Sequence, residues 1–141
     1  MIAVLIMLDV AFHAGRAGTV SAADIAERAG LARRGIEPLL QSLSRSALLE
    51  SVRGPRGGYR LGRPRRDIRL SEVVEVAVSD DAGSEDGPVG DLFGRVVEPC
   101  WRQLDEGLQT QLQALTLDDL VRRAESTGLR RPLAEPISFS I

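Results

Sequence analysis

The sequence predicts a mainly α-helical chain with one small β-hairpin, and three observations predict it. Residues 21–46 read as two short amphipathic helices joined at a glycine turn. Residues 49–61 hold an alternating run, a dense turn and a second alternating run. Leucines and other apolar residues then recur at steps of three and four between Val97 and Leu115, the signature of a long helix with one apolar seam.

Each element has its own justification. Ile2 to Ala14 is a mostly apolar helix, ended by Gly15 and Gly18. Ser21 to Asp24 has the form of a capping box, with Ser21 as N-cap, and opens a short helix that stops at Gly30. Arg33 to Ser46 makes the second helix. Ile36, Leu39, Leu40, Leu43 and Ala47 lie on one face, and Arg34, Glu37, Gln41 and Arg45 on the other. Pro38 within it removes a backbone donor, so a local kink is expected.

Leu49 to Arg53 alternates like a strand, Gly54 to Gly58 is turn chemistry, and Tyr59 to Leu61 returns. Ser71 is expected to cap a helix through Val78. Ser79 to Gly90, small, acidic and glycine-rich, reads as a linker. Asp91 to Leu115 is helical, with Pro99 marking a kink or a first turn. Thr116 with Asp119 restarts a helix through Ala124, and the tail from Arg130 reads as irregular. The organisation is therefore a helix-and-hairpin unit over 1–78, an acidic linker over 79–90, a pair of helices over 91–126 and an irregular tail over 127–141.

The 141 residues, 43% hydrophobic, can build one core. A single cysteine excludes an intramolecular disulfide framework and a self-contained zinc ribbon. The longest apolar run, Ile2 to Leu8, falls far short of the ~20 residues that span a bilayer. It also lacks a basic flank, so the protein is expected in the cytoplasm, with no membrane partner. The net charge of −2 hides a polarity: residues 28–69 balance at +8 and residues 70–141 at −8, with every cation an arginine. A basic middle suits a polyanionic partner; an arginine-rich solvated face is the alternative.

The segment 22–41 favours a helix-turn-helix. Ala26 is small where the second helix would cross, Gly30 supplies the turn, and Ile25, Leu31, Ile36 and Leu39 fix the crossing. A hairpin directly afterwards makes it a winged helix. That wing holds Arg53, Arg56, Arg60, Arg63, Arg65 and Arg66, with no acid in positions 51–66. Beside phosphate such charge is favourable through counterion release. The surface expected to meet a double-stranded DNA operator is Ser21, Arg33, Arg34, Glu37, Gln41, Arg45, Arg53, Arg56 and Arg60. The seam Val97, Trp101, Leu104, Leu108, Leu112 and Leu115 is expected to hold a homodimer, with Trp101 as its aromatic anchor.

Ser-Ala-Ala-Asp-Ile-Ala-Glu-Arg (21–28) and Ser-Val-Arg-Gly-Pro-Arg-Gly-Gly-Tyr-Arg-Leu (51–61) resemble the IscR/NsrR/CymR-type (Rrf-two family) winged-helix regulators. Leu-Asp-Val-Ala (8–11) and Leu-Thr-Leu-Asp-Asp-Leu (115–120) extend the likeness over most of the chain. The resemblance implies a homodimer on a near-palindromic operator, usually a repressor. It also makes Arg53 a minor-groove arginine and Glu37 an acceptor from cytosine N4. This chain departs from the family in three ways. Met1 stands inside a helix that usually begins earlier with a basic segment, so that contact is lost or the assigned start is late. Pro38 replaces a base-reading glutamine, which implies an altered operator preference. The third departure is at the sensor: cluster-binding members carry three cysteines before a Leu-Trp pair, whereas Ser79 to Arg95 has none.

One thiolate per chain cannot hold a [2Fe–2S] cluster, so no cofactor or metal ligand set is expected. The alternative is mixed ligation by two Cys100, two His13 and carboxylates across a dimer. Cys100 otherwise reads as a small hydrophobic residue near the seam, or as a redox-active thiol beside Arg102. His13 is expected to meet the last carbonyls of its helix. One histidine and no phosphate-cradling glycine loop argue against an enzyme. A winged-helix protein-interaction module that has lost DNA binding is a further alternative.

Overall fold

The computed structural model describes residues 1–81 and 89–132. In chain order the elements are α1 (Ile2–His13), α2 (Ala22–Ala29), α3 (Arg33–Arg45), β1 (Leu49–Val52), β2 (Gly58–Leu61), α4 (Leu70–Asp81), α5 (Glu98–Ala114) and α6 (Leu117–Ser126). A 3-10 turn, Arg65–Asp67, precedes α4, and a π-helical turn, Phe93–Val97, leads into α5.

α1 is apolar around most of its circumference, and such a helix belongs in the middle of a core. Ala3, Ile6, Met7 and Val10 are all buried, and α1 packs against α2, α4, α6 and β2. Around it close Ile25 and Ala26 of α2, Ile36, Leu40 and Leu43 of α3, Leu48 and Leu49, Ile68 and Val73, and Leu117 and Val121 of α6. Each large side chain removed from water here contributes about 1.5–3 kcal/mol. The strands pair antiparallel with Leu49 opposite Leu61, Glu50 opposite Arg60, Ser51 opposite Tyr59 and Val52 opposite Gly58.

The sequence expectations need several local corrections. α3 runs unbroken through Pro38, which is exposed; the lost donor leaves the carbonyl of Arg34, also exposed, without its usual partner. Ala47 does not continue the apolar face of α3: it turns left-handed (φ 58°) and is exposed, and Leu48 takes the buried place. Ser71 is not the cap of α4. The helix begins at Leu70, and the Arg69 N–H donates to Glu72 Oε2 (3.0 Å). α4 continues to Asp81, past the expected linker start at 79, and residues 82–88 of the expected 79–90 linker lie outside the described residues.

Pro99 sits in the first turn of α5. The wider π turn immediately before it gives the pyrrolidine ring room that an α turn would deny. Leu115 leaves the helix: its backbone is extended (φ −98°, ψ 132°) and its carbonyl accepts from the Leu70 N–H (2.9 Å). The seam therefore ends at Leu112. Thr116 and Asp119 form the full capping box of α6, which extends to Ser126. Of the tail, 133–141 lie outside the described residues.

Candidate nucleic-acid interface

The turn between α2 and α3 follows from Gly30. Its left-handed backbone (φ 66°, ψ 30°) lets its own N–H reach the Glu27 carbonyl (3.1 Å) and the Leu31 N–H reach Ala26 (2.9 Å). That closes α2 and turns the chain at once into α3. Ala26 is buried at the crossing, as a close helix approach requires. Ser21 Oγ accepts from the Asp24 N–H (3.1 Å) and starts α2 at the surface.

α3 buries Ile36, Leu40 and Leu43 and leaves Arg34, Gln41 and Arg45 exposed. Arg33 and Arg34 occupy its first turn, where the helix dipole disfavours cations. Arg33 Nε is partly compensated by Glu37 Oε1 at 3.0 Å, and both side chains remain open to solvent. A polyanion in front of this turn would remove the conflict, since dipole and arginines attract it alike.

The hairpin is fixed to the helix-turn-helix by backbone, not only by side chains. Val20 and Tyr59 exchange two hydrogen bonds (2.9 and 2.8 Å), and Thr19 Oγ1 donates to the Arg56 carbonyl (2.7 Å). Gly58 makes this possible, because a Cβ there would lie 2.5 Å from the Val20 carbonyl oxygen. The wing tip and the start of α2 are thereby held as one surface. The β-branched pair Thr19-Val20 is a sequence signal for this third strand contact, too short for alternation to declare it.

The wing charge is differently arranged from the expectation. No acid lies within 51–66, yet acids outside that window reach three of its arginines. Arg60 pairs with Glu50 across the strands (2.9 and 3.0 Å), Arg63 with Glu72 (2.8 Å) and Arg65 with Asp118 (2.6 Å). Hydrogen bonds from Arg60 hold the Glu50 carboxyl below its usual range and raise the Arg60 guanidinium. Glu72 is likewise lowered, first by the Arg69 backbone N–H and then by Arg63. Fold stability thus accounts for half of the cluster. Among the described residues Arg53, Arg56 and Arg66 have no acidic partner within ion-pair distance, and all three are exposed.

The expected seam is open. Val97, Trp101, Leu104 and Leu108 are 49–64% exposed, and α5 buries none of its residues within the protomer. Leu112 and Leu115 are half-buried. Phe93, Val97 and Trp101 line a groove of about 540 Å³ on the same stretch.

Cys100 is exposed on α5. Among the described residues no three His, Cys, Asp or Glu side chains of one protomer stand close enough to share a metal ion. His13 Nδ1 instead donates to the Asp9 carbonyl (2.9 Å), the helix-end role expected of it. Among the described residues no helix is long and apolar enough to cross a membrane.

Comparison with known proteins agrees with this geometry. The family model Rrf2, described as an iron-dependent transcriptional regulator, matches residues 1–123. The chain is 39% identical over 132 residues to a putative HTH-type transcriptional regulator, ORF2, of Azotobacter vinelandii, covering 92% of this chain and 80% of that protein. It is 40% identical over 126 residues to the HTH-type transcriptional regulator IscR of Xenorhabdus nematophila, covering 87% and 76%. Among solved structures, IscR of T. potens superposes with a TM-score of 0.72 at 32% identity, over 92% of this chain and 88% of that one. CymR, the global cysteine regulator of B. subtilis, gives 0.66 at 26% identity, over 86% and 91%. These relatives are transcriptional regulators and not enzymes. The chain belongs to the Rrf2 family of winged-helix, DNA-binding transcriptional regulators.

Proposed function

We propose that the protein acts as a homodimeric, sequence-specific repressor that answers to no three-cysteine iron–sulfur site. The observation that carries the dimer is the uncovered stripe Val97, Trp101, Leu104 and Leu108 on a helix that buries nothing in its own protomer. A second copy of the same stripe covers it with matching chemistry. In that dimer each α3 enters a major groove, with Arg34, Gln41 and Arg45 on its exposed face and Arg33 and Glu37 at its start. Ser21 and the N–H groups of α2 meet phosphate, and Arg53 and Arg56 reach the minor groove or backbone. Arg60 contributes field more than contact, because Glu50 already engages it.

The absence of a cluster rests on one cysteine per chain and on its position, exposed on α5 beside Trp101 and not in a loop with others. Repression follows from a rigid duplex-bound dimer that excludes other proteins from the site. The test is anisotropy with duplex from the gene's own upstream region, at about 50 and 200 mM salt, against a scrambled duplex. A dimer making several phosphate contacts should lose roughly a thousandfold between those salts. It should also prefer the upstream duplex. Weak, equal binding to both would favour a winged helix that meets proteins.

A further inference from the structure

We propose that the Arg65–Asp118 ion pair is a positioning device that fixes the angle between the recognition helix and the dimerisation arm, and so sets the half-site separation that the dimer accepts. This rests on the homodimer proposed above.

The arm has little else to aim it. α5 buries no residue and, within the protomer, packs against α4. Its other attachment is at its C-terminal end, where residues 115–117 run beside 68–70. The Leu70 N–H donates to Leu115 O and the Leu117 N–H to Ile68 O, both 2.9 Å, and Arg69 Nη1 donates to Gln113 O (2.7 Å). α6, which follows, is anchored in the core by Leu117 and Val121, both fully buried. Between the wing and this joint lie only residues 62–69. Arg63 ties that segment forward to Glu72, and Arg65 ties it sideways to Asp118 at 2.6 Å.

The Arg65–Asp118 pair joins the wing segment to α6 through side chains, beside the Leu117–Ile68 backbone bond. Arg65 is 32% exposed and Asp118 14%, so solvent screens the pair less than an open surface ion pair. A guanidinium–carboxylate contact is directional, whereas apolar packing tolerates small rotations. Asp118 has a second partner, Arg122, on its own helix, which holds the carboxylate without touching the wing segment. Loss of Arg65 therefore removes the sideways tie, leaves the backbone bridge as a looser hinge, and keeps the carboxylate compensated.

The consequence is geometric. In a two-fold dimer, moving half-sites apart by one base pair shifts them about 3.4 Å and rotates them about 35°. A stiff joint resists this and a loose one follows. The experiment begins with a duplex enriched by the full-length wild-type chain from a random-sequence pool. Its half-site separation is then changed by one base pair in either direction, and a single half-site duplex serves as reference. Wild type should bind the original spacing best. Arg65→Gln and the near-isosteric Asp118→Asn should each lose about tenfold of that discrimination, about 1.4 kcal/mol, with half-site affinity unchanged. Arg122→Gln should keep the wild-type ratio. Unchanged discrimination in both Arg65→Gln and Asp118→Asn overturns the inference, as does an equal loss on half-site and full-site duplexes. A wild-type chain that enriches only single half-sites overturns the dimer itself, a different failure seen before any variant is made.

Discussion

Arg28 of α2 grips Asp9 of α1 with two parallel hydrogen bonds, Nε to Oδ1 at 2.9 Å and Nη2 to Oδ2 at 2.8 Å. The carboxylate is 9% exposed and the guanidinium 36%. The hydrogen bond to Asp9 raises the Arg28 guanidinium above its ordinary value. The pair holds the first helix of the helix-turn-helix against the central core helix, so DNA-binding geometry and fold stability share it.

The first prediction follows. Arg28→Ala leaves Asp9 nearly buried, with the His13 ring at 3.3 Å as its one remaining ion-pair neighbour among the described residues. Because the arginine is more than a third exposed, the loss is discounted for screening to about 1 kcal/mol. Urea denaturation should show a lower midpoint with an unchanged slope. An unchanged midpoint would mean that apolar packing alone seats α2.

Gly58 carries the second prediction. A Cβ placed 2.5 Å from the Val20 carbonyl oxygen must push backbone, not a flexible side chain. Gly58→Ala should open the Val20–Tyr59 bridge, so that those two amides exchange with solvent far faster while α1 amides stay protected. DNA affinity should fall with it, about tenfold, since the wing would no longer be fixed beside α2. Unchanged exchange at Val20 and Tyr59 would show that the wing stands without this contact.

The third concerns acid. Asp118 is held below the usual carboxylate range by hydrogen bonds from Arg122 and Arg65, Asp119 by the Thr116 N–H and hydroxyl, and Glu72 as described. A carboxyl whose pKa is lower in the folded chain than in the unfolded one stabilises the fold above its unfolded value. That stability is lost as pH falls through the folded value. Thermal stability should therefore be level from about pH 5 upward, as far as these groups set it, and decline below about pH 4. Asp118→Asn should flatten that decline. An acid limb unchanged in the variant would assign it to other carboxylates.

Much of this was legible in the sequence, and the reason differs by element. Gly30 and Ala26 announced the turn because only small residues permit that crossing, and Thr116 with Asp119 announced α6 because a capping box is a local device. What escaped was non-local. The wing arginines look unopposed in sequence because Glu72 and Asp118 lie outside positions 51–66, one of them 53 residues from its partner. Ala47 and Leu115 looked periodic, and periodicity does not register a left-handed residue or a strand-like bridge that ends a helix. The candidate DNA-binding residues Arg34, Gln41, Arg45, Arg53 and Arg56 are exposed, which is as much of that surface as spacing can foretell.

A fourth prediction separates the arm from the fold. Leu108 is 51% exposed, so Leu108→Asp costs the lone protomer little. In a dimer it places a charge into an apolar seam. Sedimentation should show monomers at concentrations where wild type is dimeric, with helical content unchanged. Gln109→Asp, on the same helix but off the seam, should remain dimeric. A Leu108→Asp variant that stays dimeric would remove α5 from the interface.

The wing supplies the last prediction. Each phosphate neutralised adds about 0.9 to the slope of log affinity against log salt. Arg53 and Arg56 are exposed, and among the described residues they have no acidic partner, whereas Arg60 is already satisfied by both oxygens of Glu50. Arg56→Ala should therefore lower the slope by about one on operator and scrambled duplex alike, the behaviour of a phosphate contact. Arg53→Ala should weaken binding to the upstream duplex more than to the scrambled one, because a minor-groove arginine responds to groove shape. Arg60→Ala should leave the slope nearly unchanged, since it removes a cation and bares an anion at the same place. A full unit lost with Arg60→Ala would mean that DNA draws the guanidinium away from Glu50. The cross-strand pair would then be a resting-state partner that phosphate displaces.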